Sequence, residues 1–349
     1  MSNERMKILE LLENGDITAE EANKLLKAIE NNSNNSNNDS INFTKVSNKV
    51  NDILGLITKK TSSMGVHLGN EIKNLVKNIN ISNTKNSFYK EFEFELDNIK
   101  KDLTLKSLNG EMVLKGYNGN KITLKAIYIP KNTKNNLIFC NQDSNKYVLS
   151  FNENDFEKVS IDVLIPKKCL QNIYINCINS NISLSSMNFA NIFCETSACN
   201  CIIENSDGDN ININNINGKI IIRNTKANNL KVCNINEYVK LNNIDIKNIS
   251  LDILNGEIGV LNDYLNLFDD YKWRFETQNM PINIQINTDN INYSIDAQTS
   301  LGKINILKNN LAYYEKSDKR VLAKIERPYD LFKNLDLIMQ TTNSAIILS

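Results

Sequence analysis

Cysteines concentrated in the middle of the chain are the first residues whose type and spacing could support chemistry. Two of them form a Cys-x-Cys pair, and thiolates at close spacing can bind zinc or form a disulfide. The group comprises Cys177, Cys194, Cys199, Cys201 and Cys233. A metal or redox site is one hypothesis for this segment. The alternative is core packing, because a buried free cysteine behaves as a small apolar side chain.

Residues for acid-base or nucleophilic catalysis are few. His67 is the only histidine, so a Ser-His-Asp or Cys-His mechanism would have to use it. Glu204, Asp207 and Asp209 form a carboxylate cluster of the kind that glycoside cleavage requires. However, Asp-Gly-Asp around Gly208 is typical of a tight turn, and we predict a turn there. We predict no catalytic, metal or cofactor-binding residue, and no enzymatic activity.

A 19-residue repeat organises the segment that contains these groups. A column is the set of residues that occupy the same position in successive repeats, 19 residues apart. Four columns contain only apolar residues, among which Cys194 and Cys201 are the cysteines. The repeat therefore assigns these two cysteines to the core. The four columns are Ile173, Ile192, Ile211, Leu230, Ile249; Ile175, Cys194, Ile213, Val232, Leu251; Ile182, Cys201, Ile220, Val239, Ile258; and Leu184, Ile203, Ile222, Leu241, Val260.

The repeat predicts a mainly β fold, a β-solenoid (β-helix) of about 19-residue coils. Apolar and polar residues alternate over two short stretches of each repeat, which indicates two strands per coil with one face inward. One such coil cannot bury its apolar face alone, whereas stacked coils form a continuous core. The pattern extends from Leu103, with Ile122 one repeat later, to Leu348. Segments 130–158, 263–281 and 307–334 interrupt it and are predicted to be loops, irregular coils or insertions; they contain or adjoin Trp273 and Tyr313-Tyr314.

Polar columns of the same repeat predict structural ladders at the corners of the coils. Asparagine tolerates left-handed turn conformations, and its amide can donate to the same amide one coil away. Two columns carry the predicted ladders, Asn172, Asn191, Asn210, Asn229, Asn248 and Asn205, Asn224, Asn243, Asn262; a further polar column is Asn179, Ala198, Asn217, Asn236, Asn255.

The N-terminal quarter has a different pattern. Residues 1–30 show apolar stripes at helical spacing, broken at Asn14-Gly15 and resumed after a Thr18–Glu21 capping box, which predicts a helical hairpin. An Asn/Ser-rich linker follows at 31–41. Residues 42–86 return to helical spacing, and within 42–80 six lysines less two acidic residues give +4. Such a helix can lie on an anionic membrane, or it can pack on a partner or on the solenoid end. The solenoid domain is assigned to 87–349.

Composition excludes several classes of function. The chain of 349 residues has 40 Lys+Arg against 40 Asp+Glu, so there is no bulk positive charge to attract nucleic acid. No secretory signal is visible and no run of 18 apolar residues occurs. We therefore expect a cytoplasmic protein with reduced thiols, unless it reaches the membrane or the cell surface by another route.

Two segments resemble a family of Firmicutes proteins. The sequence Met6-Lys7-Ile8-Leu9-Glu10, followed by Glu13–Ala22 and Leu25-Leu26, is similar to the short helical-hairpin (SHOCT-like) domain that opens YvlB and LiaX proteins. The phrases Leu-Asn-Gly-Glu-x-x-Leu and Asn-Gly-Lys-Ile-x-Ile resemble the adhesin-type β-repeat domain of unknown function family 4097. The resemblance implies a role in the cell-envelope stress response, with some relatives at the cell surface, and implies no catalytic residues.

Taken together, these features predict a non-enzymatic binding or scaffolding protein. Its N-terminal hairpin is expected to mediate self-association or to dock on a partner protein, 42–80 to contact a membrane peripherally, and the solenoid to present a face that could bind a glycan. One alternative is a carbohydrate-active β-solenoid enzyme, for which carboxylates from adjacent coils should meet in a groove. A second alternative is a cytoplasmic regulator of a membrane stress sensor.

Overall fold

The structure is a computed structural model that describes residues 87–95, 101–131, 138–142, 146–167, 170–288, 290–325 and 332–349. The predicted helical hairpin, the linker and the amphipathic helical segment lie outside these residues, and so does His67. The regular secondary structure of the described part is β-strand, apart from a 3-10 turn at Glu153–Asp155. The mainly β class and the solenoid architecture are therefore confirmed.

Seven strands precede the regular stack of coils. Several of them pair antiparallel, as β1 does with β4 and β4 does with β7. In chain order they are β1 (Phe88–Glu95), β2 (Lys101–Leu108), β3 (Glu111–Tyr117), β4 (Lys121–Pro130), β5 (Phe139–Gln142), β6 (Lys146–Ser150) and β7 (Phe156–Pro166).

The central coils each consist of one long strand followed by one short strand. They are β8 (Leu170–Ile178) with β9 (Asn181–Ser185), β10 (Asn188–Ser197) with β11 (Cys201–Glu204), β12 (Asp207–Asn217) with β13 (Ile220–Arg223), β14 (Lys226–Asn236) with β15 (Val239–Asn242), β16 (Asp245–Asn255) with β17 (Ile258–Asn262), and β18 (Asp270–Thr277) with β19 (Ile282–Ile286).

The last part of the chain contributes two more coils and a hairpin. The strands are β20 (Ile291–Thr299), β21 (Ile304–Ile306), β22 (Ala312–Lys316), β23 (Arg320–Lys324), β24 (Lys333–Thr341) and β25 (Ile346–Leu348).

Parallel pairing in register holds the coils together. Asn172 pairs with Asn191, which pairs with Asn210, and the same step continues through Asn229 to Asn248. The short strands keep this register, since Ile182 pairs with Cys201 and Cys201 with Ile220. Every column of the repeat therefore runs along the solenoid axis, with about 4.8 Å between coils.

Long and short strands form two rows whose inward side chains share one core. The long-strand row runs β5-β6-β2-β8-β10-β12-β14-β16-β18-β24-β20-β23-β22. The short-strand row runs β1-β4-β7-β3-β9-β11-β13-β15-β17-β19-β25-β21. A pairing between Leu108 and Val159 joins the rows into one open sheet of 25 strands.

Spatial order departs from chain order near both ends of the stack. The coil formed by β24 and β25 lies between the coil of β18 and β19 and the coil of β20 and β21, which precede it in sequence. At the other end, β2 lies between β6 and β8. At the C-terminal end the chain thus passes over one position of the stack and later fills it with β24 and β25. At the N-terminal end it adds β6 on the outer side of β2 and then continues with β8 on the inner side.

The repeat template was wrong at Ile122. This residue lies in β4, which runs antiparallel to β1 and to β7 rather than stacking on β2. Its side chain is still buried, because an antiparallel strand with one buried face has the same apolar alternation as a solenoid strand. Periodicity within a single strand does not distinguish the two arrangements.

The predicted interruptions contain strands as well as loops. Segment 130–158 contains β5, β6 and the start of β7, and segment 307–334 contains the β22-β23 hairpin. Segment 263–281 is a lengthened coil that carries β18, because Asn248 pairs with Lys272 and not with Leu267, which a regular coil would place there. The match of residues 295–306 and 337–348 to the template is confirmed by β20, β21, β24 and β25.

A buried carboxylate anchors the longer connection of this coil. Asp245 is 2 % exposed and accepts hydrogen bonds from the backbone N–H groups of Asn266 (3.1 Å) and Leu267 (2.9 Å). It also accepts one from the Tyr271 hydroxyl at 2.6 Å. Burial, followed by this hydrogen bond to Asp245, raises the pKa of Tyr271. The loop therefore folds back onto a fixed point of the preceding coil.

Gly218 occupies a corner where the backbone requires glycine. Its φ is +143°, and a Cβ added there would lie 2.0 Å from the carbonyl oxygen of Cys199. Gly259 differs, since an added Cβ would meet only the Lys240 Cγ, at 3.6 Å. The two glycines therefore form a matched pair for mutagenesis.

We expect Gly218→Ala to lower the free energy of unfolding by at least about 2 kcal/mol, because it adds backbone strain and a steric clash. Gly259→Ala is expected to be neutral or to stabilise by up to about 1 kcal/mol, since alanine in a strand loses less conformational freedom on folding. Urea denaturation followed by circular dichroism measures both. Equal effects of the two substitutions would contradict the assignment.

Candidate binding surface

An asparagine ladder follows the outer side of the long-strand row. Each Nδ2 donates to the Oδ1 one coil earlier, at 2.6 Å from Asn191 to Asn172 and at 2.6 Å from Asn210 to Asn191. The ladder continues through Asn229 (2.7 Å) and Asn248 (2.9 Å). The asparagine-ladder prediction is thus confirmed for the Asn172 column. At its first end Asn172 donates to Asp102 Oδ1 on β2, at 2.8 Å, an extension that the spacing of the repeat alone could not identify.

A second ladder forms at the corner between the long and short strands. Asn236 donates to Asn217 at 2.6 Å, and Asn255 donates to Asn236 at 3.0 Å. The ladder then crosses both irregular steps of the stack, from Asn279 to Asn255 (2.6 Å) and from Asn343 to Asn279 (2.5 Å). Sequence reasoning placed the first three in one polar column and matched Asn343 to the repeat template. It missed Asn279 and the hydrogen bonds that join these two residues to the ladder, because the spacings are 24 and 64 residues.

The column of Asn205, Asn224, Asn243 and Asn262 lies at the other corner. The first three residues have positive φ values between 48° and 50°, as expected for asparagine in a left-handed turn. Asn224 donates to Asn205 at 3.2 Å. Asn243 instead accepts from the backbone of Asp263, and Asn262 accepts from the backbone of Ile244. This column therefore shifts from side-chain pairing to fixing the backbone as the coil lengthens.

Aromatic rings stand beside the first ladder. Tyr174 and Phe193 stack at 5.1 Å between ring centroids with an interplanar angle of 10°, and Tyr174 is 39 % exposed. Their separation by one repeat could have identified the pair from the sequence. Trp273 does not contribute to this surface, because it is 1 % exposed and donates from Nε1 to the Ile246 carbonyl. Tyr313 and Tyr314 are exposed on β22, at the end of the long-strand row.

A groove crosses the outer side of the short-strand row. It has a volume of about 380 Å³ and spans β15, β17, β19 and β25. Gly259 lies in the middle of this groove, with Lys240 and Asn283 paired to either side of it. Among the described residues that line it there is no Asp or Glu side chain. Sequence reasoning did not find this groove.

The clustered cysteines lie inside the solenoid. Cys177, Cys194, Cys199 and Cys201 are each at most 1 % exposed and carry reduced thiols. A hydrogen bond with Cys201, together with burial, raises the pKa of Cys194. Burial likewise raises the pKa of Cys177, and it raises the pKa of Cys140 to about 12. Cys194 and Cys201 thus lie in the core, as the core-packing hypothesis predicts.

The predicted turn at 207–209 was wrong. Asp207, Gly208 and Asp209 lie at the start of β12, and Gly208 pairs with Phe189 on β10. An added Cβ at Gly208 would come within 2.1 Å of the Phe189 ring, so the glycine makes room for that ring. The turn lies just before it, at Asn205.

Two of the three carboxylates of this cluster bond to residues on the next coil. Glu204 bonds to Arg223 at 2.6 Å, and Asp209 accepts from Asn228 at 2.8 Å. Within the described ranges no group of three or more His, Cys, Asp or Glu residues is arranged to hold a metal ion. Over the same ranges no helix has the length and apolar character that spanning a bilayer would need.

Comparison with known proteins identifies the family. The model of the Toastrack DUF4097 family matches residues 138–330, which is more than half of the chain. The chain belongs to the Toastrack family. A SHOCT-like domain model matches residues 3–34. Both resemblances seen in the sequence are therefore confirmed, and the solenoid of this Toastrack chain extends beyond the family match on both sides.

Several solved structures align with most of this chain at low identity. A candidate adhesin from Bacteroides fragilis is 10 % identical, with a TM-score of 0.41 over 76 % of this chain and 98 % of that one. A candidate lipid-binding protein from Parabacteroides distasonis is 11 % identical, with a TM-score of 0.39 over 76 % and 97 %. A candidate cell adhesion protein from Clostridium sporogenes is 12 % identical, with a TM-score of 0.26 over 74 % and 98 %. No curated protein matches the sequence.

We expect Asn210→Ala to lower the free energy of unfolding by about 1–2 kcal/mol, because it removes one hydrogen bond on each side of the ladder. Asn305→Ala, at an exposed position of β21, is the matched control and should change stability by less than about 0.5 kcal/mol. Chemical denaturation of both variants provides the measurement. A stability for Asn210→Ala equal to that of the control would contradict a structural role for the ladder.

The raised thiol pKa values predict slow modification of the native protein. At pH 8 we expect Cys140, Cys177 and Cys194 to react with Ellman's reagent far more slowly than in denaturant, because their thiolates are disfavoured in the folded state. Stability should fall as the pH rises above the ordinary thiol value of 9.0, since the unfolded chain releases those protons first. Rapid modification of these cysteines without unfolding would refute the prediction.

Proposed function

We propose that this protein is a non-enzymatic binding and scaffolding protein that acts at the cell envelope as part of a stress response or in adhesion. The observation that carries the proposal is the stack of in-register asparagine ladders along the solenoid. It combines a rigid support with a polar surface that repeats at the same interval over many coils.

The ladders suit recognition of an extended ligand. Each amide within the first ladder uses one N–H and one acceptor site for its neighbours, which leaves a second N–H and a second lone pair. Asn229 is exposed, and Asn191 and Asn210 are half-buried. These groups are held in place before any ligand arrives, so little side-chain entropy is lost on binding. A linear glycan, rich in hydroxyl groups, could follow such a row along the solenoid axis.

The core provides the rigidity that a scaffold needs. A single apolar cluster runs from Phe92 on β1 to Leu348 on β25, including both irregular ends of the stack. Burial of so continuous an apolar surface makes bending between coils costly, because interior side chains are packed at crystal-like density. The solenoid is therefore suited to hold binding groups at fixed separations.

The N-terminal region supplies the second half of the proposal. The hairpin predicted for residues 1–30, which a SHOCT-like domain model matches, would be too short to bury much apolar surface alone, so it is proposed to self-associate or to dock on a partner protein. The basic segment 42–80, with its charge of +4 from six lysines and two acidic residues, is proposed to hold the chain peripherally at an anionic membrane.

The enzyme alternative has less support. A glycosidase needs two carboxyl groups facing one another across a substrate groove. The groove on the short-strand row has no Asp or Glu side chain among its described lining residues, and Glu204 and Asp209 bond to neighbours on adjacent coils. The cytoplasmic-regulator alternative differs from the main proposal in location, and it is distinguished by fractionation.

Cell fractionation with and without an envelope-damaging antibiotic tests the proposal. We expect the full-length protein in the envelope fraction, with an increase under stress, and we expect it to co-purify with itself or with one partner. Leu25→Asp in the hairpin should abolish that association, whereas Asn37→Asp, in the linker beyond the SHOCT-like match, should not. A protein found only in the cytosol and unaffected by envelope damage would refute an envelope role and favour the regulator. Release of reducing ends from a cell-wall polysaccharide would favour the enzyme.

A further inference from the structure

The groove on the short-strand row owes its shape to one residue that the fold does not require. Gly259 has no positive φ, and an added Cβ would be in ordinary contact with only one atom, Lys240 Cγ at 3.6 Å. By contrast, an added Cβ at Gly218 or Gly256 would come within 2.0 Å of a backbone oxygen. A larger side chain would therefore fit at position 259.

Neighbouring coils show which side chains this position accepts. The outward column that contains Gly259 has Ile202 on β11, Ile221 on β13 and Lys240 on β15. Branched aliphatic side chains are thus compatible with the column, and glycine interrupts it. The structural consequence of the glycine is the open floor of the groove, since packing and backbone geometry do not demand it.

Polar groups along the groove are already oriented. Asn283 donates from Nδ2 to Glu257 Oε1 at 2.9 Å, which leaves its carbonyl oxygen as an acceptor. Gln285 donates to Asn287 at 3.0 Å, which likewise leaves its Oε1. The carboxylate of Glu257 lies outside the groove and is engaged by Asn283.

A cation and apolar surface complete the groove. Lys240 is the only charged side chain among the described lining residues, and its ammonium lies 4.6 Å from the centroid of the Tyr238 ring. The Lys219 ammonium approaches the same ring at 5.4 Å, so a second positive charge is near. Leu261, which is 42 % exposed, and Ile347 supply apolar contact area.

We propose that this groove binds a saccharide unit that carries a carboxylate. The C–H face of a pyranose ring would contact Leu261 and Ile347, its hydroxyl groups would donate to the amide oxygens of Asn283 and Gln285, and its carboxylate would pair with Lys240. The volume of about 380 Å³ lies within the range of about 300–1,000 Å³ typical of small-molecule sites. This inference rests on the proposed binding function and names its ligand class.

The direction of the groove fits a polymeric ligand. It crosses four consecutive strands of the row, β15, β17, β19 and β25, and so follows the solenoid axis. Because Gly259 opens the row of side chains at one coil only, one acidic unit would be recognised there while flanking units continue along the surface.

Isothermal titration of the full-length protein with tetragalacturonate and with its fully methyl-esterified form tests the proposal. The two probes differ in the charge of their carboxyl groups. We expect the acid to bind at least tenfold more tightly than the ester. Gly259→Ile should weaken binding of the acid at least tenfold, whereas Ser183→Ile, which fills the same outward column on β9 away from the groove, should not. The Lys240→Met variant should bind the acid and the ester equally, with the affinity that the unsubstituted protein has for the ester.

Several outcomes would overturn the inference. Unchanged affinity in Gly259→Ile would place the binding elsewhere, and equal affinity for acid and ester would remove the role of Lys240. Circular dichroism checks that each variant is folded, and Gly259→Ala, which is milder, replaces Gly259→Ile if it is not. If tetragalacturonate fails to bind while the protein still fractionates with the envelope, only the groove assignment is wrong. If it binds as expected but the protein is confined to the cytosol, the envelope role is wrong and the groove assignment stands.

Discussion

Parallel pairing of each strand with its equivalent one repeat later is the constraint on which the rest of the structure depends. It places every residue directly above its counterpart in the next coil, as in the run from Asn172 to Asn248. Identical side chains must therefore tolerate one another at about 4.8 Å. Aliphatic residues do so inside by packing, and asparagines do so outside because an amide is both donor and acceptor.

The same constraint explains how corners are built. Where the chain turns from one strand to the next, some backbone N–H and C=O groups lose their partners on the neighbouring strand. Burying such a group without a hydrogen bond costs free energy. Inward polar residues satisfy some of them, as when Asn215 donates to the carbonyl of Cys199 and Thr277 donates to that of Gly256. Where the coil lengthens after β17, Asp245 performs the equivalent task for a whole loop. In the regular coils and in the lengthened coil alike, a buried polar side chain thus satisfies backbone groups at the turn.

Much of the fold could be predicted because the repeat converts sequence spacing into spatial neighbours. The Asn172 ladder and the inward positions of Cys194 and Cys201 follow from it directly. Ile122 could not be placed, since alternation alone does not distinguish parallel from antiparallel pairing. The turn predicted at Asp207–Asp209 was wrong because Asp-Gly-Asp has the composition of a turn but lies in a strand. Glycine is present there because the Phe189 ring of the neighbouring strand occupies the space next to Gly208. The groove was missed because it is formed where Gly259 has no side chain. A sequence pattern does not show whether a glycine leaves an open space on the surface. The spatial order of β20 and β24 could not be predicted, because it depends on pairing between strands that are far apart in the sequence.

The late position of β24 and β25 in the chain, inside the stack, has a consequence for biosynthesis. A ribosome delivers β18 to β23 first, yet the edge of β18 receives its partner only when residues 333–341 emerge. Until then β18 lacks its partner on this side, and β20, which pairs with β23 and β24, lacks its partner towards the stack; unpaired strand edges promote association between chains. Pairing of β24 with β18 joins residues far apart in sequence, such as Asp270 and Asn334, which slows the step relative to stacking of the central coils. The last coils therefore cannot be completed in chain order, because β20 and β21 pair with the rest of the stack only through β24 and β25.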